Sequence, residues 1–182
     1  MIEKFYKLVI AMLASIPIHK YVMPVLLQYV YTPSFLGQIL MYIMISIVLY
    51  EFLITYRKWK KWDRNIMTII YYITLIYILF AREDMGYAFF ELDPHQLVNS
   101  IRYGSYDEWI VAIFNVLIFI PMPIFNQFYI KDPFRNTVLC VSSGILIEFI
   151  QAVSHRGVFD VGDIILYCAG ILIGCFMRKK LK

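Results

Sequence analysis

Long apolar stretches dominate this sequence and restrict what it can fold into. Five of them are long enough, or nearly so, to cross a bilayer as helices, which takes about 20 residues. They are Phe35–Tyr56, Asn65–Ala81, Trp109–Ile130, Phe134–Val153 and Val161–Met177. Hydrophobic residues make up 61% of the chain and charged residues 16%, whereas soluble domains are about half apolar and about a quarter charged. The sequence therefore predicts an all-α, multi-pass transmembrane helical bundle.

The N-terminal apolar run, from Phe5 to Tyr31, is less regular than the other five. Two prolines, a histidine and a lysine interrupt it, namely Pro17, His19, Lys20 and Pro24. This run could form a kinked span, a re-entrant hairpin or an interfacial helix, and of these we expect a sixth, broken span. The sequence contains no internal repeat and no linker long enough to separate two domains, so we expect residues 1–182 to form a single membrane domain.

The basic residues indicate how the spans are oriented, because positively charged loops stay on the cytoplasmic side. Residues 57–64 carry five basic side chains and one acidic, and residues 178–182 carry four basic ones. Residues 82–108 carry two basic and six acidic side chains. Alternation then puts both termini and the 131–135 loop in the cytoplasm and the 82–108 and 154–160 loops outside. We attribute the basic segments to topology and to anionic lipid, and expect no nucleic-acid partner.

Polar and small residues recur at helical spacing in the last two predicted spans. In each, four such residues fall at i, i+4, i+7 and i+11. They are Gly144, Glu148, Gln151 and His155 in the first helix and Asp163, Tyr167, Gly170 and Gly174 in the second. This spacing puts each set on one helical face, and small residues let membrane helices approach closely. We therefore expect an antiparallel hairpin whose two polar stripes face each other.

Such a hairpin would gather its polar groups near the extracytoplasmic end, with an asparagine from the neighbouring span at similar depth. Polar and ionisable groups inside a membrane are costly and mark candidate sites. The candidate ligand-binding residues are Asn115, Glu148, Gln151, Arg156, Asp160 and Asp163. These groups could satisfy one another and order the fold, bind a polar head group, or form a catalytic or metal centre that also uses His155. Their spacing matches no metalloprotease motif such as H-E-x-x-H, and we expect no metal and no cofactor.

The same residues resemble the C-terminal signature of the VanZ-like family. The resemblance rests on Glu148–Gln151, on Arg156–Ile165, and on Gly170 and Gly174 in the helix that follows. Asn115–Pro121 is similar to the family's N-x-x-x-F-x-P segment. Together these motifs cover roughly residues 109–177.

The chain departs from the family pattern at three places. Tyr167 stands where the family usually has asparagine, and Pro123 stands where it usually has glycine. Residues 91–95 keep the leucine and proline of the common N-L-x-P-F motif but have lost its asparagine and phenylalanine. If those asparagines contact a ligand in the family, this chain binds a different ligand or binds more weakly.

The resemblance implies a bacterial membrane protein, and the founding member of the family confers low-level resistance to the lipoglycopeptide teicoplanin. We expect a protein that binds a membrane lipid or a lipid-linked cell-wall precursor, or the lipoglycopeptide itself, in an outward-facing polar pocket. Arg156 would anchor an anionic head group, because its planar guanidinium can hold a phosphate or carboxylate bidentately. The alternatives are a membrane enzyme that modifies an envelope lipid or glycan, and an accessory subunit of another membrane complex.

Overall fold

The computed structural model describes residues 2–21, 35–53, 61–80, 82 and 84–180, most of them helical. The helices are α1 (Ile2–Tyr21), α2 (Phe35–Leu53), α3 (Lys61–Phe80), α4 (His95–Tyr103), α5 (Tyr106–Phe119), α6 (Pro121–Asn126), α7 (Pro133–Val153) and α8 (Val161–Lys180), and the strands are β1 (Phe89–Glu91) and β2 (Val158–Asp160). The chain divides into two compact units, the first ending at residue 81 and the second beginning at residue 82. A single membrane domain stays a prediction.

Two helical stretches among the described residues are long and apolar enough to cross a membrane. They are Tyr106–Asn126 and Pro133–Val153, and shorter apolar helices cover Arg64–Phe80 and Val161–Met177. The structure thus confirms a mostly helical chain with apolar helices at the predicted places. The number of five spans remains a prediction.

The first unit consists of α1, α2 and α3. The hydroxyl oxygens of Ser15 on α1 and Ser46 on α2 lie 3.0 Å apart, and the Tyr42 hydroxyl donates to the Met12 carbonyl at 2.7 Å. Helix α1 continues through Pro17 to its last residue. Residues 22–31 of the predicted broken span, and residues 54–56 of the next predicted span, lie outside the described residues.

In the second unit, prolines break the first candidate span where the sequence contains Pro121-Met122-Pro123. Helix α5 ends at Phe119, and Pro121 occupies the first turn of α6, a position where its missing N–H costs no hydrogen bond. The Asn136 side chain on α7 donates to the Pro123 carbonyl at 2.9 Å. This hydrogen bond therefore connects the break between α5 and α6 to helix α7.

One short parallel sheet departs from the all-α prediction. Strand β1 pairs with β2 in a register that sets Phe90 opposite Phe159 and Glu91 opposite Asp160. Each strand has only three residues, too few for an alternating pattern to be recognised in the sequence. The pairing joins the segment that precedes α4 to the loop that precedes α8.

The predicted contact between the two polar stripes is correct where Gly144 faces Tyr167, but it is wrong for Gly170 and Gly174. A Cβ atom added to Gly144 on α7 would lie 3.6 Å from the Tyr167 ring on α8, so these two helices do face each other there. A Cβ on Gly170 or Gly174, however, would clash with backbone carbonyls of Val116 and Ile120. Gly170 therefore faces α5, and Gly174 faces Ile120, the residue that follows α5. Helix α8 runs parallel to α5.

Candidate functional site

Two acidic side chains meet between α5, α7 and α8. The Asn115 side chain on α5 donates to Asp163 Oδ1 at 2.7 Å, and the Tyr167 hydroxyl donates to Glu148 Oε1 at 2.5 Å. Glu148 is only 1% exposed and Asn115 only 4%. Hydrogen bonds to carboxylates are the stronger ones in proteins, so each acidic group is fixed by a neutral side chain from another part of the fold.

Asp160 connects this pair to the start of α8. Its backbone N–H donates to Glu148 Oε2 at 3.3 Å, and its own carboxylate accepts from the Gly162 N–H at 2.6 Å. The second bond satisfies a donor in the first turn of α8, as a capping residue does. A Cβ on Gly162 would lie 3.1 Å from Leu97 Cβ on α4. Because Gly162 has no side chain, α4 can pack closely against the first turn of α8.

Arg82 contributes a positive charge to this cluster, and no sequence pattern assigned it to the site. Its guanidinium interacts electrostatically with both Glu148 and Asp163. Its Nη1 atom lies 3.4 Å from where a Cβ would stand on Gly157, so glycine leaves room for it. The Arg82 Nε atom is buried and makes no hydrogen bond to the residues that the structure describes. Attraction between opposite charges offsets part of the cost of removing them from water.

Arg156 holds Arg82 in place through the backbone. Arg156 Nη1 donates to the Arg82 carbonyl at 2.6 Å, although 74 positions separate the two residues. The Arg156 backbone N–H donates to the Gln151 carbonyl at 2.9 Å, which closes the end of α7. The Arg156 side chain is exposed, so it lies at the rim of the cluster and not within it.

His155 lies in the same loop, in the left-handed region with φ of 58°. Its carbonyl accepts a hydrogen bond from the Met85 N–H at 2.8 Å. Its ring Nδ1 is 3.8 Å from Asp84 Oδ1. The carbonyl and the ring of His155 therefore both contact the segment that follows Arg82.

The six predicted site residues occupy one region but make different contacts. Asn115 and Asp163 bond each other, Glu148 bonds the Asp160 backbone, and the Arg156 side chain bonds Arg82. Gln151 is 1% exposed, and its Cβ lies 3.3 Å from where a Cβ would stand on Gly157. Their role in binding a ligand stays a prediction.

Tyr167 and Arg82 are the members of the cluster that the sequence did not assign to a site. Tyr167, at the position where the family usually has asparagine, is 1% exposed, and its ring stacks on Phe119 with centroids 4.0 Å apart. The helical register placed Tyr167 on the same face as Asp163, which could have identified it. In the part of the chain that the structure describes, no three His, Cys, Asp or Glu residues are grouped to hold a metal ion.

Comparison with known proteins gives one match. The family model described as VanZ/LLP1 matches residues 39–181, which include every residue of the cluster and extend well beyond the 109–177 region of the sequence motifs. No curated protein and no solved structure matches the chain. Since the family match covers most of the sequence, the chain belongs to the VanZ/LLP1 family.

Proposed function

We propose that this protein is a multi-pass membrane protein that binds an amphiphile with an anionic head group and thereby lowers sensitivity to lipoglycopeptides such as teicoplanin. The family and the apolar helices support a membrane location. The charge difference between loops supports cytoplasmic termini and a cluster that opens outward. That side is where lipid-linked cell-wall precursors and lipoglycopeptides meet.

The observation that carries the proposal is the position of Arg156 beside Arg82. The guanidinium of Arg156 is exposed and, toward the described residues, makes one hydrogen bond, to the Arg82 carbonyl. A guanidinium has five N–H donors in a fixed plane, so most of them remain for a phosphate or carboxylate held bidentately. The Arg82 carbonyl that accepts this bond fixes the orientation of the Arg156 side chain.

The neighbouring surface suits the apolar part of such a ligand. The last turns of α7, just before the Arg156 loop, expose Phe149, Ile150 and Val153, which are 49%, 42% and 54% exposed. An amphiphile with its head group on Arg156 would lay its chains beside these side chains, as in a lipid bilayer. The carboxylates and Asn115 would then act mainly by fixing Arg82 and the loop.

Antibiotic protection provides the test. Expression in a teicoplanin-susceptible Gram-positive host should raise the minimum inhibitory concentration, and Arg156→Ala should abolish that increase. Arg135→Ala is the matched control, since it removes an exposed arginine from the first turn of α7, at the opposite end of that helix. Both variants should reach the membrane at wild-type levels. Full protection by Arg156→Ala, or no protection by the wild type, would refute the proposal.

A binding assay separates this function from the enzymatic alternative. Purified protein is incubated with labelled bacterial membrane lipids, and the lipids are then extracted and separated. Retention of unchanged anionic lipid by the wild type and its loss in Arg156→Ala are expected. A new covalent lipid product would instead support a membrane enzyme that uses Asp160, Asp163, Glu148 or His155.

A further inference from the structure

We infer that α4 is an interfacial helix that lies in the outer head-group layer, with Val98 and Ile101 in contact with lipid chains. This inference rests on the proposed membrane-spanning topology and adds to it the partner of one surface. The partner is the bilayer itself, and the helix forms a border of the Asp160–Asp163 region toward lipid. The outer loop thus does more than connect two spans.

The position of α4 relative to the candidate spans is fixed by short connections. The stretch Tyr106–Asn126 has 21 residues, which at 1.5 Å per residue measure about 31 Å, close to the hydrocarbon thickness of about 30 Å. Its first residue therefore lies at the membrane boundary. Helix α4 ends at Tyr103, three positions earlier, and three residues reach at most about 11 Å.

The beginning of α4 is held at the same level by a second contact. Leu97 lies against Gly162 in the first turn of α8, and that turn begins another apolar helix, Val161–Met177. Since both halves of α4 lie beside the outer ends of apolar helices, the axis of α4 runs along the membrane surface. A helix standing upright in the water would leave one end far from these points.

The side chains of α4 suit that orientation. No residue of α4 is buried, and its aliphatic residues Leu97, Val98 and Ile101 share one side at spacings i, i+1 and i+4. Leu97 packs inward, whereas Val98 and Ile101 are 44% and 43% exposed. Asn99 is exposed on the polar side. An amphipathic helix with an unpartnered apolar side is typical of membrane interfaces.

The exposed apolar surface continues onto the candidate span. Trp109, Ile113 and Leu117 of α5 are 43%, 52% and 43% exposed, at i, i+4 and i+8, and would face lipid in the proposed topology. Tyr103 at the end of α4 and Tyr106 at the start of α5 are 82% and 75% exposed. Aromatic rings of this kind concentrate at the head-group level of membrane proteins. A continuous layer of lipid is therefore the partner that covers the exposed apolar side chains of both helices.

Depth-dependent quenching tests this inference. Single cysteines at Val98→Cys, Asn99→Cys and Ile113→Cys, in a chain whose natural cysteines are replaced by serine, are labelled with a fluorophore in phosphatidylcholine–phosphatidylglycerol vesicles. Brominated phospholipid should quench the probes at 98 and 113 strongly and the probe at 99 at least twofold less. Iodide in the water should show the opposite order.

The probe at position 113 separates the two proposals. Quenching at 113 together with equal quenching at 98 and 99 would overturn the interfacial helix but leave the spanning topology intact. A probe at 98 shielded from both quenchers would indicate a protein partner and also overturn the inference. No quenching at 113 would refute the membrane-spanning proposal itself.

A second pair of variants keeps the test valid if the cysteine-free chain fails to fold. Val98→Asp should expose α4 to protease in intact vesicles made from the natural chain, because a carboxylate is costly among lipid chains. Asn99→Asp adds the same group on the polar side and should leave protection at the wild-type level. Equal cleavage of the two variants would overturn the inference.

Discussion

Replacing Gly170 by alanine should separate α8 from α5 and break the polar cluster at Asn115. The added methyl group would clash with the Val116 carbonyl oxygen. That oxygen belongs to the α5 backbone and cannot move by a change of rotamer. Helix α8 must therefore retreat by about 1 Å to reach an ordinary carbon–oxygen contact of about 3.3 Å.

The energetic consequence can be worked out from the neighbouring hydrogen bond. A retreat of that size stretches the 2.7 Å bond between Asn115 and Asp163 beyond hydrogen-bonding distance. Losing a hydrogen bond to a charged group costs about 1.5–3 kcal/mol, and overpacking adds about 1–3 kcal/mol. Alanine regains about 0.5–1 kcal/mol in helix propensity. We expect the free energy of unfolding of Gly170→Ala to fall by about 2–5 kcal/mol.

Gly144→Ala is the matched control for this substitution. A Cβ at Gly144 would meet its nearest neighbour, a Tyr167 ring carbon, at 3.6 Å, which is an ordinary contact. The same chemical change in another helix should therefore stabilise the protein by about 0.5–1 kcal/mol. Unfolding in mixed detergent micelles with increasing dodecyl sulfate, followed by circular dichroism, measures both values. Equal stabilities of the two variants would refute the reasoning.

Two further predictions concern hydrogen bonds to individual carboxyl groups. Tyr167→Phe should lower the free energy of unfolding by about 1.5–3 kcal/mol, because Glu148 loses a buried donor; an unchanged stability in the same detergent assay would contradict it. At the start of α4, hydrogen bonds from the backbone N–H and the ring of His95 hold the pKa of Asp93 below its ordinary value of 3.8. Their stabilising effect is therefore present above the unfolded-state pKa and is lost as the pH falls through the folded-state pKa. A carboxyl-carbon NMR titration of Asp93 should give a midpoint below 3.8, and a higher midpoint would argue against these bonds.

Length and hydrophobicity sufficed to predict α7 and α8, two of the helices that carry the cluster. The predicted span Phe134–Val153 differs from α7 by one residue, and α8 begins at the predicted Val161. Local chemistry explains the start of α7, because the Asp132 side chain accepts from the Phe134 N–H and Pro133 occupies the first turn. Such signals lie within a few residues and can be read from the sequence.

The parts that were missed depend on contacts between distant segments. The i, i+4, i+7, i+11 spacing correctly grouped Asp163 with Gly170, but a spacing cannot say which neighbouring helix a given part of the face contacts. The glycines meet α5, whereas Tyr167 meets α7. Arg82 joins the cluster only because Arg156 and the β1–β2 pairing bring its segment back, and no local pattern indicates that return.

The β1–β2 pairing also restricts how many times the chain can cross a membrane. Two strands of three residues each cannot hydrogen-bond to each other across a hydrocarbon layer about 30 Å thick, so β1 and β2 must lie on the same side of it. In the proposed membrane topology, the chain between Glu91 and Val158 must then traverse the bilayer an even number of times. Two stretches in that interval have the required length and apolarity, Tyr106–Asn126 and Pro133–Val153. The even number of crossings follows from backbone geometry alone and does not depend on the distribution of lysine and arginine.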